Sequence, residues 1–106
     1  MKIQIFDSAK LDLVDGFSFY EAQDDGVGDY FLNSLYSDID SLSLYAGIHR
    51  KKSNGFYWML SKRFPYAIYY TLEGDLVSVH AVLDCRQEPG SIEGRLNQER
   101  TRRWES

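Results

Sequence analysis

Residues 66–83 read YAIYYTLEGDLVSVHAVL, two runs of aromatic and β-branched side chains separated by a short polar segment. Such side chains favour strands, and the segment Glu73-Gly74-Asp75 is typical of a tight turn. A turn this short joins antiparallel neighbours. The pattern therefore predicts a β-hairpin with strands at 66–72 and 76–83.

Side chains alternate between the two faces of a strand, which divides the later strand of this hairpin into two sets. One set is apolar and is expected to share a packed face: Val77, Val79, Ala81 and Leu83. The other set is semi-polar and contains Ser78, His80 and Asp84. The strand is therefore expected to bury one face and to leave the other more polar.

The residues before the hairpin predict an N-terminal strand followed by two antiparallel helices. Residues 2–6 alternate between polar and apolar side chains, the period of a strand with one buried face. Apolar residues then recur at spacings of three and four in two segments, as they do in amphipathic helices. The first set is Leu13, Val14, Phe17 and Tyr20, and the second is Phe31, Leu32, Leu35, Tyr36, Ile39 and Leu42. Acidic residues occupy the other positions of the second helix and are expected to face solvent: Asp29, Asp38 and Asp40.

A further strand at 56–60 and the helical spacing of Ile92 and Leu96 complete the pattern. The order predicts a two-layer α+β domain, with two N-terminal helices on a four-stranded, largely antiparallel sheet and a short C-terminal helix. The 106 residues suffice for one domain, and no repeat or low-complexity tract marks a boundary within 1–106. The sheet face opposite the helices is expected to be exposed, and so available to a partner.

Charge is distributed unevenly along the chain. Residues 1–40 hold nine acidic residues against Lys2 and Lys10, whereas residues 41–72 contain no acidic residue. The second segment is basic through Arg50, Lys51, Lys52, Lys62 and Arg63. The net charge of −4 argues against non-specific nucleic-acid binding. The basic segment indicates either a solvated loop or a patch for a polyanion or an acidic partner.

Composition excludes several kinds of site. The single cysteine, Cys85, rules out an intramolecular disulfide and is expected to be a small buried apolar residue in a reducing cytosol. No metal-ligand spacing, glycine-rich phosphate loop or Ser-His-Asp order is present, so no cofactor or metal is expected. Unbroken apolar runs are short and the first residues do not resemble a signal peptide. These features predict a cytoplasmic protein without a membrane span.

Two segments flank the hairpin, Lys62-Arg63-Phe64-Pro65-Tyr66 before it and Arg86-Gln87-Glu88-Pro89 after it. In order and spacing they resemble the RelE/ParE superfamily, the plasmid stabilisation toxins that bacteria pair with an antitoxin in type II toxin–antitoxin modules. In that family an Arg-Phe-Pro-Tyr segment opens the central strand and an Arg-x-x-Pro segment closes the next. The order of elements agrees as well, so that the resemblance covers about residues 2–97.

The resemblance implies a growth-inhibiting toxin that a cognate antitoxin neutralises by wrapping a flexible segment over its helices or sheet. The complex would be a heterodimer or larger, and the chain alone could form a homodimer. Some relatives are ribosome-dependent mRNA endonucleases of the RelE type. Others, of the ParE type, share the fold but poison DNA gyrase.

A metal-free ribonuclease needs a base, an acid and cations around the phosphate. If the chain is a nuclease, the expected catalytic residues are Arg63 and Arg86 as phosphate clamps and His80 as a group that titrates near neutrality. Each also has a structural interpretation: a salt bridge to the sheet for Arg63, an ion pair with Asp84 for Arg86, and a bonded, semi-buried ring for His80.

Two departures from the nuclease pattern favour the ParE type. Tyr57-Trp58-Met59 stands where many relatives carry an arginine, and no terminal Tyr or His follows Arg86. We therefore predict a ParE-like toxin that binds a cellular target, with DNA gyrase as the candidate. The expected target-binding residues are basic: Arg50, Lys51, Lys52 and Lys62. A RelE-like endonuclease acting on mRNA at the ribosome, and a degenerate relative that keeps only a binding role, remain the alternatives.

Overall fold

The computed structural model describes the backbone of residues 1–105 and the side chains of residues 1–101. Its elements follow in the order β1 (Lys2–Ile5), α1 (Asp7–Glu21), α2 (Val27–Asp40), α3 (Leu42–Tyr45), β2 (Arg50–Lys51), β3 (Tyr57–Leu60), β4 (Tyr66–Glu73), β5 (Leu76–Asp84) and α4 (Pro89–Glu105). The strands form one sheet in the order β1-β5-β4-β3-β2. The predicted α+β class, hairpin and helix pair are confirmed.

The sheet has five strands rather than four, and it is mixed. Neighbours from β2 to β5 pair antiparallel, but β1 runs parallel to β5, with Ile3 opposite Val77. Parallel neighbours need a crossover connection, which α1 and α2 supply between β1 and the remaining strands. The additional strand, β2, has two residues and is too short to produce a periodic signal.

The helices α1 and α2 pack on one face of the sheet and enclose the core on that side. Its central members are buried apolar residues, among them Leu13, Phe31, Leu35, Ile39, Ile68, Tyr70, Val77 and Val79. Val14 is 56% exposed and Tyr36 is 40% exposed, so these two predicted core positions are wrong. In α1 the buried line instead runs through Ala9, Leu13, Gly16 and Tyr20, which turns Val14 toward solvent.

The opposite face of the sheet is covered by α4, so the prediction of an exposed face is wrong. Leu96 is fully buried there, and Ile92 is partly buried against the same cluster. The strand residues beneath are Phe56, Ala67, Tyr69, Ala81 and Leu83. The domain therefore has helices on both faces of its sheet.

A β-bulge in β5 interrupts the alternation that the sequence predicts. Tyr69 of β4 lies opposite Ala81. The next residue, Tyr70, lies opposite Val79, so His80 is an extra residue in β5. An extra residue reverses the faces for everything that follows it in the strand.

The bulge divides the four residues that were expected to share one face. Val77 and Val79 belong to the core under α1 and α2, whereas Ala81 and Leu83 belong to the core under α4. Val82, beyond the bulge, faces α1 and α2 instead. The prediction of a single apolar face along β5 is therefore wrong.

Candidate functional site

Arg63 and Arg86 lie in neighbouring loops at one end of the β4–β5 hairpin. Tyr66 pairs with Asp84 at this end, and the Cys85 N–H donates a hydrogen bond of 2.8 Å to the Pro65 carbonyl. Both arginines are exposed. The fold thus brings the two sequence-predicted arginines to the same end of the sheet, in the loops that flank β4 and β5.

Arg86 forms a two-pronged ion pair with Asp84. Its Nη2 donates to Asp84 Oδ2 over 2.7 Å and its Nε donates to Oδ1 over 2.9 Å. These hydrogen bonds lower the pKa of the Asp84 carboxyl below its ordinary value. The structural interpretation of Arg86 matches this geometry, and a phosphate would have to compete with a carboxylate already in place.

His80 is buried, with a relative exposure of 1%. Its ring lies edge-on between Phe6 and Phe56, at centroid distances of 4.5 and 5.1 Å. Its Nε2 lies 3.0 Å from the Thr71 hydroxyl, and α4 covers this face of the sheet. The ring therefore offers no surface to an RNA strand, and it is not brought together with the two arginines.

The four predicted target-binding residues do not form one cluster. Lys51 Nζ lies 5.2 Å from the centre of the Tyr57 ring, a cation–π contact. Lys52 pairs with Glu93 of α4 over 2.9 Å. Of the four, Arg50 and Lys62 line a common cavity.

This cavity, the α2–β3 groove, has a volume of about 640 Å³ and lies between the α2–α3 region and the edge of the sheet at β3. Its walls are formed by Asp38, Ser41, Tyr45, Ile48, His49, Arg50, Trp58, Met59, Leu60 and Lys62. Three apolar members are strongly exposed, namely Tyr45 at 53%, Ile48 at 74% and Leu60 at 58%. Exposed apolar side chains gathered in a concave site are typical of binding surfaces.

Asp38 anchors one wall of the groove and was wrongly predicted to face solvent. It is 6% exposed, and its Oδ2 accepts a hydrogen bond of 2.7 Å from the Ser61 hydroxyl. The Lys62 N–H donates to the same oxygen over 3.3 Å. This carboxylate therefore fixes the backbone that carries Lys62, and it accepts both hydrogen bonds from uncharged donors.

His49 is a groove residue for which the sequence suggested no role. Its Nδ1 lies 2.6 Å from the Tyr70 hydroxyl, which also accepts a hydrogen bond of 2.9 Å from the Gly47 N–H. Burial lowers the pKa of His49 and raises the pKa of Tyr70. Gly47 has a φ of 95°, a conformation that favours glycine. In the sequence, this glycine was the available sign of a turn that places His49.

Replacing Tyr70 with phenylalanine is expected to lower the free energy of unfolding by about 1 to 2 kcal/mol, because it leaves the Gly47 N–H without its acceptor. Chemical denaturation of both proteins measures the difference. Tyr69→Phe is the matched control, since it removes a hydroxyl from the adjacent residue of β4 without breaking these bonds. Equal losses in the two variants would contradict the assigned role of Tyr70.

Cys85 is exposed, so the prediction of a buried cysteine is wrong. It follows the last residue of β5, where the chain leaves the sheet. Its surroundings raise the thiol pKa, mainly by desolvation, and keep the less reactive protonated form. Among the described side chains, no group of His, Cys, Asp and Glu is arranged to hold a metal ion. Within residues 1–105, no helix is long and apolar enough to cross a membrane.

Comparisons with known proteins bear on the fold. No protein-family model matches this sequence, and no curated protein matches it. Among solved structures, one similar chain comes from a structure described as a chromosomal ParDE TA system from P. aeruginosa. The TM-score is 0.70 at 13% identity, over 77% of this chain and 92% of that chain. The chain therefore has the fold of a protein from a ParDE toxin–antitoxin system, as its resemblance to the RelE/ParE superfamily implied.

Proposed function

We propose that the chain is the toxin of a type II toxin–antitoxin module, of the ParE type, which inhibits growth by binding a cellular protein. The observation that carries this proposal is the fold shared with a chain of a ParDE system over 77% of the residues. A cognate antitoxin would hold the toxin inactive in a heterodimer or a larger complex. Function does not follow from fold alone, so the site must support it.

The site supports protein binding better than RNA cleavage. The exposed apolar side chains of the α2–β3 groove suit a protein partner. The three nuclease candidates do not form one site by contrast: His80 is buried, and of the two exposed arginines Arg86 is already paired with Asp84. General acid–base catalysis requires groups within hydrogen-bond reach of one phosphate, which this arrangement does not provide.

A growth assay tests the proposal. Induced expression of the chain in bacterial cells is expected to arrest growth, and co-expression of the adjacent open reading frame is expected to restore it. Growth that continues despite accumulation of folded chain would contradict the toxin assignment and favour a degenerate relative with a binding role alone.

DNA gyrase is the proposed target. Purified chain is expected to inhibit supercoiling by gyrase or to trap cleaved DNA, and the charge reversal Lys62→Glu should weaken this effect. Lys10→Glu, an exposed reversal on α1, is the matched control. Full gyrase activity in the presence of chain that still arrests growth would exclude gyrase and retain the toxin.

One observation favours the second candidate, an mRNA endonuclease: Arg63 and Arg86 occupy adjacent exposed loops. This candidate predicts cleavage of translated mRNA after induction and its loss in Arg63→Ala and Arg86→Ala. Mapping of mRNA ends in induced cells measures this. Growth arrest with intact mRNA would exclude the endonuclease.

A further inference from the structure

The α2–β3 groove combines an apolar interior with unpaired positive charge. Ile48 and Leu60 are mostly exposed there, although each is a large apolar side chain. Leaving such groups in water costs about 25 cal/mol for each Å² of apolar surface that a partner would cover. The groove is therefore a surface that gains stability when it is occupied.

Charge defines what kind of occupant fits. Arg50 and Lys62 line the groove, and among the described side chains neither has an acidic group within ion-pair distance. The groove's own acidic residue, Asp38, is buried and accepts hydrogen bonds from two uncharged donors, the Ser61 hydroxyl and the backbone of Lys62. Two exposed cations against this one carboxylate leave the groove with a net positive charge, which attracts an acidic partner.

The two lysines that follow Arg50 in the chain do not share this availability. Lys52 is held by Glu93, and Lys51 lies over the Tyr57 ring. Arg50 is thus distinguished from Lys51 and Lys52 by its surroundings, and Lys62 from the adjacent Arg63 by its place in the groove lining.

The edge of the sheet also leaves room beside the groove. β2 pairs with β3 at Tyr57 and Trp58, so within residues 1–105 the outer side of Met59 and Leu60 has no strand partner. Both residues line the groove. A peptide that lies in the groove therefore runs beside unpaired strand edge, which such segments commonly use for docking.

We propose that the α2–β3 groove is the docking site for an acidic, apolar segment of the antitoxin, whose carboxylates pair with Arg50 and Lys62 while its apolar side chains cover Ile48 and Leu60. This inference rests on the proposed function and adds the surface and the chemistry of the partner. The antitoxin and the cellular target then compete for Lys62, which gives neutralisation a direct physical basis.

The test uses the full chain and the product of the adjacent open reading frame, with binding measured by calorimetry. Reversing both groove charges, as Arg50→Glu with Lys62→Glu, is expected to lower affinity at least about tenfold and to reduce its dependence on salt. The matched control reverses Lys2 and Lys10, which are exposed and outside the groove. All four side chains are exposed, so the variants should fold, as circular dichroism will check.

A second pair of variants tests the apolar part. Ile48→Ser is expected to lower affinity at least about fivefold, since Ile48 lines the groove. Leu44→Ser is its control, because Leu44 is equally exposed at 77% but is not a wall residue. Both substitutions replace one exposed aliphatic side chain with serine, so a difference between them reports position rather than chemistry.

The outcomes distinguish a failure of the groove assignment from a failure of the proposed toxin function. Tight binding that is unaffected by the groove variants, or affected equally by their controls, would overturn the groove assignment and leave the toxin function intact. Absence of any complex between wild-type chain and the adjacent gene product would overturn both. Selective loss in the groove variants, with rescue by Lys substitutions in the partner's acidic segment, is the expected result.

Discussion

Replacing Arg95 with alanine is expected to lower the free energy of unfolding by about 3 to 5 kcal/mol, the range for breaking a buried ion pair from one side. Arg95 donates to both carboxylate oxygens of Asp12, over 2.7 and 2.8 Å, and to Glu99 over 2.9 Å. Its side chain is 23% exposed, whereas those of Asp12 and Glu99 are 11% and 1% exposed. The substitution leaves two carboxylates in a site with little access to water.

The network explains why such a change affects the whole fold. Asp12 also accepts a hydrogen bond of 2.9 Å from the Val82 N–H, and Ser8 donates to Glu99 over 2.9 Å. These contacts tie α1 and β5 to α4, just beyond the bulge. Loss of Arg95 therefore weakens the attachment of α4, and with it the cover on one face of the sheet.

The size of this loss is expected to depend on pH. Desolvation raises the pKa of Asp12 above its ordinary value, while the hydrogen bonds from Arg95 and the Val82 N–H act in the opposite direction. A carboxyl whose pKa is higher when folded stabilises the protein below its unfolded pKa, and this contribution is lost as pH rises through the folded pKa. Removing Arg95 raises the Asp12 pKa further. The loss in free energy of unfolding caused by Arg95→Ala should therefore be largest at neutral pH and shrink as pH falls through the pKa of Asp12.

Chemical denaturation at neutral and mildly acidic pH measures both effects. Arg95→Met keeps most of the aliphatic stem and should lose nearly as much as Arg95→Ala if the charge matters most. Arg100→Ala is the control, an exposed arginine on the same helix, and should leave stability unchanged. A deficit that is independent of pH, or that Arg95→Met abolishes, would show that Arg95 acts by packing alone.

The same network was not predictable from the sequence. The hairpin, α1 and α2 carry strong apolar periodicity, so they were predictable from the sequence. In α4 the inward positions include Arg95 and Glu99, which an apolar pattern counts as solvent-facing. Packing of α4 on the sheet depends on the pairing of Arg95 with Asp12, which lies 83 residues earlier in the chain. No local sequence pattern indicates such a pairing.

The candidate site was predictable to a smaller extent. Arg63 and Arg86 follow from their positions at the ends of hairpin strands, because antiparallel pairing brings those ends together. The burial of His80 depends on the bulge, and the sequence contains no signal for an extra residue within a regular run. The groove depends on how α3 and the loop after it sit against β3, which is a tertiary contact.

Replacing Gly16 with alanine is expected to lower the free energy of unfolding by about 2 kcal/mol, although alanine favours a helix more than glycine by about 1 kcal/mol. A Cβ at this position would clash with Phe31 Cζ, where α1 crosses α2. The Phe31 ring is fully buried and is surrounded by other rings, with Phe64 at 5.1 Å and Tyr66 at 4.9 Å. Because the ring has little room to move, the clash outweighs the gain in helix propensity, and the midpoint of thermal unfolding should fall by roughly 10 °C.

Gly94→Ala is the matched control, because a Cβ at Gly94 of α4 would meet no atom within 4 Å. That substitution should raise stability by about 0.5 to 1 kcal/mol, so the two identical changes are expected to have opposite signs. Phe31→Leu should relieve the clash, and the double variant Gly16→Ala with Phe31→Leu is then less destabilised than the sum of the single changes. Additive effects, or a stabilising Gly16→Ala, would mean that the Phe31 ring does not restrict the side chain at position 16. The helix pair would then adjust to accept the added methyl group.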